Sequence, residues 1–262
     1  MTGHFIVTPE QEQQVLELYQ VTQYIGEIAK QVGLDRHAVS QVLRESPSSG
    51  YDPATSRRHT YFYDERYFQQ IDNEAKAYFF GLLASDGWLK YENNRSCAVC
   101  ISLHEKDVNI LRRFSETLGQ QAPLPKYKAR KQQYRLEFHS VQMCRDLEGK
   151  GFGRDKTFSL GDIAQYVPPE HHRHFVRGVF DGDGGWIIEP YRLRFSFRGT
   201  EEFLFSLQAI LPVRSRVNGR GTWKSLSNTR HRDAELLGIW MYEDTNLFLE
   251  RKYVKFISGI ER

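Results

Sequence analysis

The chain has 262 residues, 40% of them apolar, and a formal net charge of +3. This length suits one large domain and one small domain, and no run of about 18 uncharged apolar residues exists that could span a membrane. The first residues lack the basic and apolar regions of a secretory signal, and three cysteines without framework spacing indicate a reducing compartment. We therefore expect a cytoplasmic protein, in a bacterial, phage or organellar interior.

Residues 1–45 predict a small all-α domain. Residues 8–19 begin with a helix cap, and residues 24–44 predict two further helices joined at Gly33, with Asp35 capping the second. This pattern resembles the helix-turn-helix of DNA-binding domains. The last helix would present polar side chains to a major groove, namely Arg36, His37, Ser40, Gln41 and Arg44. The local excess of acidic residues leaves a small helical bundle that binds protein as the alternative.

Residues 46–60 are rich in Ser, Pro and Gly and predict a linker. The linker ends in a basic cluster with Arg57 and Arg58, which could follow a phosphate backbone.

Two segments of the same design come after the linker. In Phe79–Gly87 and in Val176–Gly184, a Gly stands five residues before an Asp, and another Gly follows that Asp. Helices are predicted to end at these acids, Asp86 and Asp183. A single Asp-Gly pair is typical of an ordinary turn, but its recurrence in this context favours function. The recurrence predicts two repeats, residues 61–167 and 168–262.

The two repeats predict the same order of strands and helices. Predicted strands cover residues 97–103, 133–138, 193–197 and 221–226, and predicted helices cover residues 107–118, 140–149, 201–211 and 232–242. Lys156 follows Asp86 after 70 residues and Lys252 follows Asp183 after 69, so a basic residue also recurs.

Small residues form a stripe on each motif helix. Ala77, Gly81 and Ser85 are four residues apart on the first helix, as are Gly178 and Gly182 on the second, so each set shares a helix face. A face without bulk lets two helix backbones approach closely. Packing along these stripes would place the two motif acids side by side.

Two adjacent carboxylates repel each other unless a cation lies between them. Mg²⁺ typically binds one or two carboxylates together with phosphate oxygens and water. The acids Asp86 and Asp183 therefore predict a divalent-metal site that acts on a phosphodiester, and Lys156 and Lys252 could neutralise transition-state charge.

Basic side chains concentrate around the predicted strands. Alternate residues of a strand share a face, so Arg192, Arg194, Ser196 and Arg198 would point together, and Arg can bind guanine or phosphate. Further candidates for DNA contact are Lys126, Lys128, Arg130, Gln133, Arg135, Glu137, Arg214, Arg216, Arg220 and Lys224.

The two motifs resemble those of the LAGLIDADG homing endonucleases in their single-chain form, over about residues 61–262. The resemblance implies an α+β fold, a pseudo-two-fold pair of αββαββα units with two saddle-like antiparallel sheets, and motif helices packed at the centre. It implies an Mg²⁺-dependent, site-specific endonuclease that makes a double-strand break in DNA at a long target site. Such enzymes are often encoded in introns or inteins; this one would be a free-standing monomer.

The resemblance also assigns roles to residues. Asp86 and Asp183 would be the catalytic and metal-binding pair, helped by main-chain carbonyls at Ser85 and Gly182. Lys156 and Lys252 match the basic site residues, and Ala77, Gly81 and Gly178 belong to the helix-packing motif. The sixth motif position departs from the family, because it is Ala84 in the first motif and Asp181 in the second.

Two alternatives remain at this point. One is a non-cleaving protein of the same fold, either a DNA-binding regulator or an RNA-splicing maturase. The other is a metalloenzyme that uses His171, His172 and His174. The Cys97 and Cys100 pair is interpreted as two buried or half-buried strand cysteines, since only Cys144 remains to complete a zinc site.

Overall fold

The computed structural model describes residues 7–22, 24–51, 63–92, 96–119, 122, 125–128, 132–153, 160–228 and 230–261. The chain divides into two compact units, Met1–Asp64 and Glu65–Arg262. Four predicted site residues lie outside the described residues, namely Arg57, Arg58, Arg130 and Lys156. Within the described part of the chain, no helix is both long enough and apolar enough to cross a membrane.

The first unit contains the three predicted helices, α1 (Pro9–Val21), α2 (Ile25–Val32) and α3 (Arg36–Glu45). Gly33 adopts a left-handed conformation with φ 73°, which makes the turn between α2 and α3. The Asp35 side chain then caps α3 by accepting a hydrogen bond from the Ala38 amide at 2.8 Å. Apolar residues of all three helices, such as Val15, Ile28 and Val39, form the core of this unit.

The predicted linker differs from the structure at its start. Pro47–Ser49 forms a short 3₁₀ helix, and the buried Ser49 hydroxyl donates to the Leu43 carbonyl at 2.8 Å. The Tyr51 ring packs edge-on against Tyr19, with ring centroids 5.8 Å apart. Residues 46–51 therefore complete the helical unit, because a buried hydroxyl and an aromatic contact hold them against it.

The first half of the second unit has the order αββαββα. Its elements are α4 (Glu74–Asp86), β1 (Gly87–Glu92), β2 (Ser96–His104), α5 (Val108–Leu118), β3 (Lys126–Lys128), β4 (Gln133–Phe138) and α6 (Val141–Glu148). The strands form an antiparallel sheet in the order β1-β2-β4-β3.

The second half repeats that order and adds a helix. Its elements are α7 (His172–Asp183), β5 (Gly184–Glu189), β6 (Arg192–Gly199), α8 (Glu201–Ile210), β7 (Arg216–Asn218), β8 (Lys224–Ser227), α9 (His231–Tyr242) and α10 (Glu250–Ile260). Its antiparallel sheet has the matching order β5-β6-β8-β7. The predicted α+β pair of αββαββα units is therefore confirmed.

Each sheet has one apolar face and one open face. In β6 the buried residues Leu193, Phe195 and Phe197 alternate with more exposed ones, and in β4 the buried Leu136 and Phe138 do the same. The apolar faces pack on helices: the Phe138 ring of β4 meets the Phe114 ring of α5, with centroids 5.1 Å apart. The open faces carry most of the polar strand residues.

Several elements differ from the prediction. Strands β1 and β5, which begin at the Gly after each motif acid, and helix α10 were not predicted. Strand β8 begins at Lys224, three residues later than predicted, because Gly219 and Gly221 hold positive φ values of 124° and 79° in the turn before it.

The cysteines also differ in part from the prediction. Cys97 and Cys144 form a disulfide, whereas Cys100 is a buried free thiol. Residues three apart on a strand point to opposite faces, so Cys97 faces α6 and Cys100 faces the open side. The chain spacing of 47 residues between the bonded pair gave no sign of this contact.

Candidate active site and nucleic-acid interface

Helices α4 and α7 meet backbone to backbone at glycines. A Cβ added to Gly81 would lie 2.2 Å from the Phe175 carbonyl oxygen, and one added to Gly178 would lie 2.0 Å from the Tyr78 carbonyl oxygen. Real side chains do not approach a backbone this closely, so both positions require glycine. Ala77, on the same stripe, is fully buried. The two helices therefore run alongside each other in the same direction.

The motif acids stand at the same end of this helix pair. A Cβ on Gly182 would lie 2.2 Å from the Ser85 Cβ and 3.2 Å from Oδ2 of Asp86. The Ser85 hydroxyl crosses to the other helix and donates to the Val179 carbonyl at 3.2 Å. Asp86 thus lies directly against the residue before Asp183. Asp86 is half-buried and Asp183 is exposed, so the pair faces outward.

The groups at this end suit a hard cation. They are carboxylate and main-chain carbonyl oxygens, which Mg²⁺ prefers, and its remaining ligands would be water and phosphate oxygens. No group of three or more His, Cys, Asp or Glu among the described residues could hold a metal by itself. His171, His172 and His174 are therefore not gathered into a metal site: His172 Nε2 is hydrogen-bonded to the Val167 carbonyl at 3.0 Å, and His174 is buried with its Nδ1 3.6 Å from the Glu74 carboxylate.

Lys252 lies behind the end of α7, where it closes the helix. Its Nζ donates to the carbonyls of Phe180 and Asp181 at 2.6 Å, of Gly184 at 2.7 Å and of Gly182 at 3.4 Å. Burial lowers the pKa of Lys252 to about 8. The Gly182 carbonyl keeps a second lone pair for another partner. The structure therefore makes Lys252 a buried cap of the turn that carries the second motif acid.

Asp181 is buried between the two motif helices. Its Oδ2 accepts hydrogen bonds from the Tyr78 hydroxyl and from the Leu249 amide, both at 2.8 Å. Burial raises the pKa of Asp181 to about 6, against the lowering effect of Lys252. The equivalent position on α4 is Ala84, so only the second repeat has this carboxylate.

The open face of the first sheet collects basic residues. The register pairs Arg135 with Ser102 on one side and with Lys126 on the other, and it pairs Gln133 with Lys128. These predicted contact residues therefore share one face. The Arg135 guanidinium lies over the Trp88 ring, 4.9 Å from its centroid, and donates to Glu137 at 2.6 Å.

The open face of the second sheet carries Arg192, Arg194 and Arg198, as predicted by alternation along β6. Arg216 on β7 and Arg214 before it are exposed. Lys224 needs a correction, because it shares the face of the buried Leu226 and its Nζ donates to the Gly219 carbonyl at 3.1 Å. The open face of β8 instead presents Ser225 and Ser227.

The exposed side of α3 carries the residues predicted to face DNA. Arg36, Gln41 and Arg44 are exposed, while Ala38, Val39, Val42 and Leu43 are buried. The Ser40 hydroxyl donates back to the Arg36 carbonyl at 2.8 Å.

Two aromatic residues near the motif acids were not predicted as site residues. Trp88 follows Asp86 by two residues on β1, and Trp223 lies with Asp183 along a cleft of about 310 Å³. A Trp soon after each motif is visible in the sequence. Trp223 belongs to neither motif, because it lies in the turn between β7 and β8. Only the fold brings it to the site.

The chain matches no family model, and no curated protein matches its sequence. Solved structures do match. The crystal structure of the I-LtrWI LAGLIDADG homing endonuclease bound to target DNA aligns with a TM-score of 0.51 and 11% identity, over 76% of this chain and 91% of that chain. The LAGLIDADG meganuclease I-AabMI bound to uncleaved DNA gives a TM-score of 0.49 and 12% identity, over 71% and 90%. I-SmaMI, bound to an uncleaved DNA target in the presence of calcium ions, gives 0.48 and 11%, over 72% and 90%. With its paired motif helices and two matching sheets, the chain has the fold of the LAGLIDADG homing endonucleases.

Proposed function

We propose that the chain is a site-specific double-strand DNA endonuclease of the homing type. The observation that carries this proposal is that α4 and α7 pack in parallel and end at Asp86 and Asp183, where a Cβ added to Gly182 would lie 3.2 Å from Oδ2 of Asp86. A carboxylate from each repeat is the arrangement expected where two strands related by a two-fold axis are to be cut. The fold shared with DNA-bound endonucleases supports the same conclusion.

In this proposal Asp86 and Asp183 hold Mg²⁺, with main-chain carbonyls of Ser85 and Gly182 as further oxygen ligands. The bound metal would activate the attacking water and stabilise the leaving oxygen. The chain itself fixes the acids: Ser85 bonds across the helix pair, and Lys252 holds the carbonyls at the end of α7. Lys156 remains the predicted counterpart of Lys252 in the first repeat.

The open faces of both sheets would hold the DNA. A long duplex site requires contacts spread over both repeats, and each face presents arginines and polar side chains along two or more strands. Helix α3 of the first unit would add a further DNA contact through Arg36, Gln41 and Arg44. The protein would act as a monomer, because one chain already supplies both acids.

The activity can be tested by incubating the protein with a randomised DNA library and Mg²⁺ and then sequencing the ends. We expect double-strand breaks at one long site. Binding without cleavage would instead identify a regulator of the same fold.

The role of the acids is tested by Asp86→Asn and Asp183→Asn. Each substitution removes one negative charge from the metal site, so we expect double-strand cleavage to fall by at least about 10³-fold while DNA binding persists. Asp72→Asn, an exposed acid at the opposite end of α4, is the matched control and should cut normally. Normal cleavage by either motif variant would refute the two-acid mechanism.

A further inference from the structure

Residues 245–252 of the second repeat, here called the crossing segment, are held by side chains of the first repeat. The hydroxyl of Thr245 donates to the carboxylate of Glu74, the first residue of α4. At Asn246, the Arg113 guanidinium of α5 donates both to the main-chain carbonyl and to the side-chain oxygen. The segment therefore crosses to the other repeat just before α10 begins.

An ion pair extends these contacts into α10. The Nε of Arg251 lies 3.1 Å from both carboxylate oxygens of Asp107, and its Nη2 lies 3.0 Å from Oδ2. Asp107 stands directly before α5 in the first repeat, and only 6% of its side chain is exposed. A buried carboxylate is costly unless a cation pairs with it. The pair therefore fixes the start of α10 against the first repeat.

The crossing segment is also bonded to the end of α7 in its own repeat. The Leu249 amide donates to Oδ2 of Asp181 at 2.8 Å, and Lys252 Nζ donates to the Asp181 carbonyl at 2.6 Å. Lys252 follows Arg251 directly, so the ion pair with the first repeat stands one residue from the cap of the second motif helix. A shift of Arg251 would draw Lys252 away from the carbonyls that it closes, among them that of Gly182.

We infer that Asp107 of the first repeat is a positioning residue for Asp183, the motif acid of the second repeat. Asp107 fixes Arg251 at the start of α10, and α10 places Lys252 on the main chain that leads into Asp183. The consequence for cleavage rests on the proposed endonuclease function, whereas the contacts belong to the free protein. A cation held at Asp183 and the Gly182 carbonyl would bind more weakly without the ion pair, because its ligands would be less well fixed.

A second contact between the repeats lies away from the crossing segment and supplies the matched control. The buried Ser206 hydroxyl of α8 donates to the carboxylate of Asp162, in the first repeat, at 2.7 Å. Ser206→Ala therefore also removes a side-chain contact between the repeats, but it involves no residue of the crossing segment.

The first experiment measures how fast an amine-acylating reagent modifies Lys252 in the free, full-length protein, with the labelled peptides quantified by mass spectrometry. Lys252 is 7% exposed, so its labelling requires a local opening and should be slow in the wild type. Asp107→Asn and Arg251→Gln should each raise the rate by about fivefold or more, whereas Ser206→Ala should keep it low.

The two variants of the ion pair check each other. Asp107→Asn removes a negative charge near Lys252 and Arg251→Gln removes a positive one, so a rise in both reports the lost contact and not the changed charge. Arg251 has 52% of its side chain exposed, so Arg251→Gln disturbs packing less and provides the test if Asp107→Asn does not fold. Equal labelling of Lys252 in the wild type and Arg251→Gln would overturn the inference, as would an equal rise in Ser206→Ala.

The second experiment measures the Mg²⁺ dependence of nicking for each strand of the target duplex, each strand with its own label. Asp107→Asn should raise the Mg²⁺ concentration for half-maximal nicking of one strand by about tenfold and leave the other nearly unchanged, as expected when an outer partner of a metal ligand is lost. Ser206→Ala should shift neither strand. An unshifted Mg²⁺ dependence in an Asp107→Asn protein that cuts would overturn the inference. A wild type that protects Lys252 but neither binds nor cuts DNA would instead overturn the proposed function.

Discussion

His174 on α7 is a buried histidine whose pKa is lowered to about 4. Burial is the main cause, and the positive charge of Arg177 adds to it, whereas Glu74 partly opposes it. In the unfolded chain a histidine has a pKa of about 6.5. Between these two values the unfolded chain binds the proton and the folded chain does not. The stability that His174 contributes is therefore complete above pH 6.5 and is lost as the pH falls toward 4.

We predict that His174→Gln flattens the acid side of the stability profile. Between pH 7.5 and pH 5, the wild type should lose about 2 kcal/mol more of its free energy of unfolding than the variant. This figure follows because pH 5 lies about 1.5 units below the pKa of histidine in the unfolded chain, and each unit corresponds to about 1.4 kcal/mol. Urea denaturation at both pH values measures this difference. Asp181 acts in the opposite direction, since its raised pKa makes the folded state bind the proton more tightly below pH 6. The comparison must therefore be made between variants; equal losses in both proteins would contradict the prediction.

The sequence predicted the place of Lys252 near the candidate site but not its surroundings. Its spacing after Asp183 marked it as part of the site, and the structure does place it next to that acid's helix. Its burial and its four carbonyl partners were not predictable, because they depend on α10 docking behind α7. A lysine predicted to neutralise transition-state charge thus also caps the end of the helix that carries the second motif acid.

At the scale of elements, the pairing of α4 and α7 depends on glycine. We predict that Gly178→Ala destabilises the protein by about 3 kcal/mol or more, because the new methyl group would stand 2.0 Å from the Tyr78 carbonyl and must force the helices apart. The measurement is the free energy of unfolding in urea. Gly185→Ala is the matched control, since a Cβ there has no atom within 4 Å, and it should cost little. Similar losses in both variants would show that the contact at Gly178 is not critical.

The helix pair could be predicted from the sequence because its signal is periodic. Small residues four apart on both motif helices specify a common face, and the structure brings Gly81 and Gly178 together on it. Strands β1 and β5 gave no such signal. Each begins at the Gly of the Asp-Gly pair that ends a motif helix, and because such a pair is typical of a turn, the sequence gave no sign that a strand starts there.

Strand register was the least accessible feature. One residue of shift moves every side chain to the other face, and the turn between β7 and β8 decides that shift through Gly219 and Gly221. Arg192, Arg194 and Arg198 alternate within one uninterrupted strand, and the sequence predicted that they share a face. The face of Lys224, which lies next to the turn, was not predicted correctly. The cleft with Trp223 depends on the same turn, which explains why only the fold revealed it.

At the scale of the whole molecule, the modest net charge of +3 hides an uneven distribution. The second unit presents basic residues on the open faces of both sheets. In the first unit acidic residues predominate, but two of its arginines, Arg36 and Arg44, lie on the exposed side of α3. Positive charge therefore occurs where each unit is proposed to contact DNA.

We predict that the first unit lengthens the recognised site and takes no part in cleavage. The double variant Arg36→Ala and Arg44→Ala removes two positive charges from α3, while the core residues Val39, Val42 and Leu43 continue to hold the helix in place. Affinity for a long target should fall by about tenfold or more, and the protected region in a footprint should shorten. Affinity for a target trimmed to the region bound by the second unit should stay the same.

The matched control for the α3 variant is the double variant Gln13→Ala and Glu17→Ala. These two residues are exposed on α1, and their side chains are hydrogen-bonded to each other. It should leave the footprint unchanged, since it removes no positive charge. The cleavage rate at saturating protein separates the two roles: the α3 variant should still cut at the wild-type rate, because both motif acids belong to the other unit. An unchanged footprint in the α3 variant would favour the alternative in which the three-helix unit binds another protein, and the site length would then be set by the two sheets alone.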